Sequence, residues 1–274
     1  MKKNIKAVRE VCVAGKTIDV TLKLTSGIHT DKRNQKRNIT TEKVRANNDR
    51  MAAKNLARLL NANFGEDDFH VVLTYREAPS REQAKKDRAR FIRRLRKAVP
   101  DLKYVAVTEW EHTRIHHHLI LSGCTLNQVD ELWESKGYVR ASLLDNSGEY
   151  SQLAEYLIKE TTKTFRREDS CYKRRYSCSS NLIRPIVKRE EIMISDLFET
   201  EDPEPIPGYY IPKDSIRRYE HPITGMEHLE YIMVALNEPR RYKQWPRGKA
   251  VKRPEYYKAN YIEDQEDLFD LADF

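Results

Sequence analysis

Three consecutive histidines, His116 to His118, run directly into a row of aliphatic residues in the segment RIHHHLIL. In a β-strand successive side chains point to opposite faces, so His116 and His118 share one face and His117 points to the other. Two imidazoles separated by one strand repeat can hold one metal ion between them. The pattern therefore predicts a metal site, although a single strand histidine is usually an ordinary surface or core residue.

The preceding strand is expected to provide a third ligand. The segment KYVAVTEW (103–110) reads as a strand, and a short polar link joins it to the histidine strand, which predicts a hairpin. A register that pairs Trp110 with Ile115 places Glu109 opposite His116, on the face of the two ligand histidines. A carboxylate and two imidazoles suit a divalent ion such as Mn²⁺ or Mg²⁺. Glu111 and His112, in the turn, are less favoured alternatives.

A tyrosine on a later helix is a candidate nucleophile. Residues 149–163 predict a helix on which Tyr150 belongs to the apolar stripe, whereas Tyr156 falls outside it and precedes Lys159 by one turn. The remaining stripe residues are Leu153, Ala154, Leu157, Ile158 and Thr161. A phenol with a pKa of about 10 needs help to attack a phosphate. A divalent metal and a nearby ammonium group can provide that help.

The surrounding elements predict an α+β fold with a mainly antiparallel central sheet that is flanked by helices. The predicted strands cover 69–75, 103–110, 116–122 and 138–144, and the predicted helices cover 81–98, 125–137 and 149–163. Pro100 ends the first of these helices. The second begins at a capping box of Thr125 and Gln128 and is expected to close on Gly137.

The chain of 274 residues is expected to have three parts. They are a basic N-terminal extension with a short strand (1–50), a central catalytic domain (51–190) and a small C-terminal extension with an acidic tail (191–274). No apolar run reaches the roughly 18 residues of a membrane span, and the N-terminus lacks the apolar run of a signal peptide. The four scattered cysteines form neither a zinc motif nor a disulfide framework. We therefore expect a cytoplasmic protein without a membrane partner.

Positive charge is concentrated in the central part of the chain. The net charge is +8, and residues 81–97 and 163–189 each carry nine basic and two acidic residues. Such patches predict a polyanionic partner, although solvated charged surfaces are also common. No GxxxxGK[ST] loop is present, which argues against a fused nucleotide-driven helicase.

These motifs together resemble those of the HUH endonucleases, in which two histidines flank one bulky residue and a YxxK tyrosine motif follows. The matching segments are VVLTY, HHHLIL with its upstream glutamate, and YLIKE, and the resemblance covers roughly residues 55–190. Their order and spacing are most similar to the replication initiators of rolling-circle phages and plasmids. Residues 208–236 also resemble the C-terminal piece of such initiators. One departure is that the bulky middle residue is itself a histidine, His117.

The resemblance implies a mechanism. His116, His118 and Glu109 would hold a divalent ion at the scissile phosphate of single-stranded DNA at a replication origin. Tyr156 would attack that phosphate, leaving a free 3′-hydroxyl and a covalent 5′-phosphotyrosine, with Lys159 in a supporting role. Because no second tyrosine lies one helical turn away, a single-tyrosine enzyme is expected. A host helicase and a host polymerase would be its partners.

The basic segments would then bind DNA by tracking its phosphates. The candidate residues are Arg90, Arg93, Arg94 and Lys97 on the first predicted helix, and Lys173, Arg174 and Arg175 in the segment CYKRRYSC. Tyr172 and Tyr176 flank the second group and could stack on bases. A basic surface loop is an equally good interpretation of that segment.

Other functions remain open. Transposases and mobilisation relaxases share the HUH chemistry, although relaxases usually carry their tyrosine near the N-terminus. Two histidines and a carboxylate also form the triad of non-haem iron oxygenases, which leaves Tyr156 and the basic helix unexplained. A nucleic-acid-binding module without catalysis would bind DNA equally well in the presence of a chelator and would not cleave it.

Overall fold

The computed structural model describes residues 5–26, 42–110, 114–162, 164–168, 170–195, 202–221 and 225–237. The chain forms two compact units, one of residues 49–183 and one that combines residues 1–48 with residues 184–274. The acidic tail and the hairpin residues Glu111 and His112 lie outside the described residues.

The strands, in chain order, are β1 (Ile5–Ala14), β2 (Thr17–Ser26), β3 (Phe69–Tyr75), β4 (Lys103–Glu109), β5 (His116–Ser122), β6 (Gly137–Leu143), β7 (Ser177–Cys178), β8 (Val187–Ile192), β9 (Tyr209–Tyr210), β10 (Arg217–Glu220) and β11 (Glu227–Ala235). The helices are α1 (Glu42–Asn63), α2 (Arg81–Ala98), α3 (Leu126–Trp133) and α4 (Ser151–Thr162), with a short 3-10 helix at Lys213–Ser215.

The unit of residues 49–183 contains a five-stranded sheet in the order β6-β3-β5-β4-β7. Every neighbouring pair is antiparallel. Helices α2 and α3 pack on one face against residues such as Leu73 and Leu119. Helices α1 and α4 pack on the other face against residues such as Val107 and Ile120. The sheet is thus the middle layer of three, with a separate apolar core on each side.

Helix α2 follows the predicted pattern closely. Ser80 caps its N-terminus by accepting a hydrogen bond from the backbone of Gln83, and Val99 ends it directly before Pro100. The apolar stripe of this helix is buried at Ala84, Phe91, Ile92 and Leu95, whereas Ala98 in the last turn is exposed. Arg90, Arg93, Arg94 and Lys97 face away from the sheet, whereas Arg88 points toward it and donates to Thr108 of β4.

The other unit has a sheet in the order β10-β11-β2-β1-β8, with β9 paired to β11. Its core includes Val11, Val20, Leu229 and Met233. Strands from both ends of the chain share this sheet, and β1 forms a hairpin with β2 around Gly15, whose φ is 57°. The short strand predicted in the N-terminal extension corresponds to β2, and the other strands of this sheet were not predicted.

The predicted α+β class with antiparallel pairing is confirmed, although the residues that the structure describes form two sheets rather than one. The predicted helix over 125–137 is shorter than expected. Its capping box of Thr125 and Gln128 is present, but α3 ends at Trp133 and Gly137 is the first residue of β6. A Cβ atom on Gly137 would lie 1.8 Å from the carbonyl oxygen of Thr74, so the glycine serves a close approach of two strands rather than a helix end.

Gly137→Ala should destabilise the protein by at least about 2 kcal/mol, because the clash is with backbone atoms of β3 that cannot move without breaking the ladder. The matched control is Gly65→Ala, where an added Cβ has no neighbour within 4 Å. Its effect should stay within about 0.5 kcal/mol. Urea unfolding of both variants checks this. Equal stability of the two variants would show that β6 can shift to accept the methyl group.

Candidate functional site

The hairpin of β4 and β5 has the predicted register. Glu109 pairs with His116, and the next pairs toward the other end of β5 are Thr108 with His117 and Val107 with His118. Glu109, His116 and His118 therefore share the sheet face that α1 and α4 cover in part. Each of these three residues offers one potential ligand atom, and these atoms all lie within 4.8 Å of one another. Glu109, His116 and His118 are called the ligand cluster below.

The Nε2 atoms of His116 and His118 face each other within this cluster. Nδ1 of His116 lies 2.9 Å from the carbonyl oxygen of Arg114, which can only accept, so Nδ1 carries the proton. Nε2 of His116 then lies 2.9 Å from a carboxylate oxygen of Glu109 and 3.1 Å from Nε2 of His118. Each of the three groups can offer a lone pair to this cluster, and a metal cation or a proton between them would offset their mutual repulsion.

His70 on β3 contacts the candidate ligand His118, and no sequence motif pointed to it. Its Nε2 lies 3.1 Å from Nδ1 of His118, and the two rings stack with centroids 5.4 Å apart. When Nδ1 of His118 donates to His70, Nε2 of His118 presents its lone pair to the ligand cluster. Burial, and then the neighbouring His116 and His70, lower the pKa of His118 to about 3. The imidazole is therefore neutral at physiological pH, which is the form that binds metal.

The middle histidine, His117, has a structural role on the opposite face. It is completely buried and lies in a chain of hydrogen bonds. The Arg88 guanidinium donates to Oγ1 of Thr108 at 2.7 Å, and that hydroxyl lies 2.8 Å from Nδ1 of His117. Nε2 of His117 lies 2.9 Å from the hydroxyl of Tyr75. Burial, followed by the positive Arg88, lowers the pKa of His117 well below its ordinary value, so the ring is neutral.

Tyr156 lies next to the ligand cluster. Its hydroxyl is 3.5 Å from Nε2 of His118, and its ring meets the imidazole edge-on at a centroid distance of 5.4 Å. The side chain is 42% exposed, whereas Tyr150 is buried in the core as predicted. Helix α4 fixes this position because Ala154, Leu157 and Ile158 pack into the core beneath it. The Tyr156 side chain is therefore partly exposed to solvent while its hydroxyl faces His118.

The charges around Tyr156 are mainly negative. Partial burial, then Glu160, then Glu109, raises the pKa of the Tyr156 phenol above its ordinary value. Lys159 lies in the last turn of α4 and is exposed. The phenol is thus protonated at neutral pH in the metal-free protein.

The basic residues of α2 lie on the other side of the sheet from the ligand cluster. Arg90, Arg93, Arg94 and Lys97 are all exposed, but α2 packs on the face of His117. The structure therefore does not bring them together with His116, His118 and Tyr156. Their DNA-binding role stays a prediction, and it would require DNA that reaches both sides of the sheet.

The segment CYKRRYSC is only partly available to a ligand. Lys173 and Arg174 are exposed. Arg175 forms an ion pair with Asp49 of α1 and donates to the hydroxyl of Thr162 at the end of α4, so it links two helices.

Tyr172, which the sequence pattern placed against a base, is buried. It stacks on Trp110 with ring centroids 5.2 Å apart. The guanidinium of Arg88 lies 4.9 Å from the centroid of the Tyr172 ring on this stack. Tyr176 is half-buried and packs against the core beneath α1 and α4.

Comparison with known proteins supports a role in replication. Residues 68–165, just over a third of the chain, match the family model of the replication-associated protein ORF2. This range contains the ligand cluster, His70 and Tyr156. No curated protein and no solved structure matches the chain. Among the described residues, no helix has both the length and the apolar character needed to cross a membrane.

The donor set fits a divalent ion. Two imidazole nitrogens and one carboxylate oxygen are ligands that Mn²⁺ accepts, and three protein donors leave positions for phosphate oxygens and water. Glu109 and His118 are buried and His116 is half-buried, and the paired strands β4 and β5 hold all three side chains in place.

His118→Ala should remove most Mn²⁺ binding, and His70→Ala should weaken it about 10- to 100-fold because His118 loses the group that orients it. Lys159→Ala is the control and should bind Mn²⁺ like the wild type. Isothermal titration calorimetry measures all three affinities. Glu109→Ala should also weaken binding, and a loss in Glu111→Ala with none in Glu109→Ala would show that the carboxylate ligand is misassigned.

Proposed function

We propose that this protein is a rolling-circle replication initiator of the HUH type, which nicks and rejoins single-stranded DNA through one tyrosine. The observation that carries the proposal is the position of the Tyr156 hydroxyl, 3.5 Å from Nε2 of His118 in a cluster of three convergent ligand atoms. A nucleophile beside a metal-ligand set is the arrangement that phosphoryl transfer needs. The match to a replication-associated family over residues 68–165 supports the replication role.

The reaction is a transesterification at phosphorus. The phenolic oxygen of Tyr156 forms a bond to phosphorus while the bond to the 3′-oxygen of the preceding nucleotide breaks. The phenol loses a proton and the departing 3′-oxygen gains one, so no net proton change results. A divalent ion held by Glu109, His116 and His118 would polarise the scissile phosphate and stabilise its added negative charge. Attack by a 3′-hydroxyl on the phosphotyrosine reverses these steps and rejoins the strand.

The side chains of the site divide the work. The sheet fixes the two histidines and Glu109, while the buried stripe of α4 fixes Tyr156 beside them. Burial, then Glu160 and Glu109, raise the pKa of the Tyr156 phenol, and positive charge entering the cluster would act in the opposite direction. Lys159, one turn after Tyr156, would favour the developing negative charge in a supporting role.

The partners of this activity are also proposals. Single-stranded DNA at a replication origin would be the substrate, with Mn²⁺ or Mg²⁺ as the cofactor. A free 3′-hydroxyl would prime synthesis by a host polymerase, and a host helicase would supply single strands. The closeness of Tyr156 to the ligand cluster favours this function over a binding module without catalysis.

Tyr156→Phe should abolish the covalent protein–DNA adduct while leaving the fold intact, because the substitution removes only the attacking oxygen. The assay incubates the protein with Mn²⁺ and single-stranded oligonucleotides that tile the DNA molecule encoding it, followed by a denaturing gel. Tyr210→Phe is the matched control, since Tyr210 is also 42% exposed but lies on β9 of the other unit. The wild type and this control should form the adduct, and EDTA should prevent it.

Two results would contradict the proposal. An adduct that persists in Tyr156→Phe would identify a different nucleophile. Binding of the oligonucleotides by the wild type without any adduct would favour a nucleic-acid-binding module.

Glu160→Gln should raise the nicking rate at neutral pH roughly twofold and shift the pH–rate profile toward lower pH. The substitution removes a carboxylate that raises the Tyr156 pKa, so more phenolate is present at a given pH. The effect is small because a pair of charges at i and i+4 on an open helix surface interacts weakly. Glu155→Gln on the same helix is the control and should leave the profile unchanged. Single-turnover rates between pH 6 and 9 test this, and an unshifted profile in Glu160→Gln would mean that phenol ionisation does not limit the rate.

A further inference from the structure

The sheet face that carries the ligand cluster continues onto the edge strand β6. Tyr138 pairs with Thr74, and Thr74 pairs with His116, which in turn pairs with Glu109. These four residues form one row across β6, β3, β5 and β4, and residues paired across a sheet share a face. Tyr138 therefore lies on the face of the metal ligands, two strands away from His116.

The β6 end of this face is open. Tyr138 is 64% exposed, and Arg140 and Ser142, which follow it on the same face, are exposed as well. Over β4 and β5 the same face is covered, where Val105 and Val107 pack against α1 and α4. An uncovered strip therefore begins beside the ligand cluster and ends at the sheet edge.

This strip combines an aromatic ring with positive charge. The guanidinium of Arg76, directly after β3, lies 5.5 Å from the centroid of the Tyr138 ring. Arg140 follows Tyr138 by two residues on β6. It pairs with Val72, which in turn pairs with His118, so Arg140 lies in the same cross-strand row as His118. An exposed tyrosine alone is ordinary in an edge strand. One arginine at the ring and a second one strand repeat away, on the face of a metal-ligand set, match the combination of stacking groups and cations that binds single-stranded nucleic acid.

We propose that Tyr138, Arg76 and Arg140 bind the single-stranded DNA that flanks the phosphate at the ligand cluster. Tyr138 stacks on a base, and the two arginines contact neighbouring phosphates. The proposal rests on the proposed function for the position of the scissile phosphate. Two strand spacings separate His116 from Tyr138, about 10 Å. Roughly three stacked nucleotides at about 3.4 Å each span that distance.

The strip provides positive charge on the sheet face of Tyr156, which the basic residues of α2 do not. The arginines of α2 lie on the opposite face of the sheet from Tyr156. Arg76 and Arg140 share the face of the nucleophile, so a strand held at the ligand cluster reaches them without crossing the sheet edge. The DNA strand is bound by base stacking as well as by charge. Both interactions depend little on base identity, so the binding is largely independent of DNA sequence.

The test measures binding separately from cleavage. Each variant is made in the Tyr156→Phe background and titrated, in EDTA, against a fluorescein-labelled oligothymidine of about 20 nucleotides, longer than the expected site. Fluorescence anisotropy gives Kd. Tyr138→Ala should weaken binding at least about fivefold, while Tyr138→Phe keeps the ring and should bind within about twofold of the parent. Arg140→Gln should reduce the slope of log Kd against log salt by about one phosphate contact.

Leu143→Ala is the matched control. Leu143 lies on the same edge strand and is 63% exposed, but the alternation of side chains places it on the opposite face. Its substitution should leave Kd unchanged. Equal affinity of Tyr138→Ala and Leu143→Ala would overturn the proposal, and so would a loss in Tyr138→Phe as large as that in Tyr138→Ala.

The adduct assay on protein with Tyr156 intact separates this proposal from the proposed function. If the wild type forms the adduct and Tyr138→Ala binds oligothymidine like the parent, the nicking function holds and the DNA-binding strip fails. If Tyr138→Ala weakens binding but the wild type forms no adduct, the strip holds as a DNA surface and the nicking function fails.

Discussion

The pairing of Glu109 with His116 is the constraint on which the site depends. Side chains alternate along a strand, so a slip of one residue would turn His116 and His118 toward the core beneath α2 and α3. The other face of the same hairpin opposes that slip. His117 is held there between the hydroxyls of Thr108 and Tyr75, and a shift would leave several buried polar groups without partners. The buried face thus sets the register that the ligand face requires.

Electrostatics couple the nucleophile to the ligand cluster. Glu109 is both a candidate ligand and one of the groups that raise the pKa of Tyr156. A cation in the cluster would neutralise that carboxylate and add positive charge near the phenol, so both changes favour phenolate. The neutral state of His118, which burial enforces, leaves its lone pair available to the same cation. Under the proposed function, metal binding and ionisation of Tyr156 would therefore be linked through Glu109 and His118.

Periodicity predicted those parts of the structure in which one face of an element is buried. The strands over 69–75 and 116–122, the hairpin register and the phase of Tyr156 on α4 all follow from it and are confirmed. Helix α1 was missed: its first half is polar, although Ala53, Leu56, Ala57 and Leu60 in its second half form an apolar stripe that could have revealed it. His70 was missed because its partner His118 lies 48 residues away, a distance in sequence that no local pattern bridges.

The assignment of charged residues shows a different limit. The many arginines of α2 correctly predict a basic helix, but composition does not say on which side of the sheet that helix packs. The crossover from β3 through α2 to β4 places it on the face of His117, whereas Arg140 alone on β6 attracts no notice in the sequence. Strand register assigns Arg140 and Tyr138 to the ligand face once the sheet order is known. Which charged residues share a sheet face with the ligand cluster thus depends on the order of the strands, and local composition does not reveal that order.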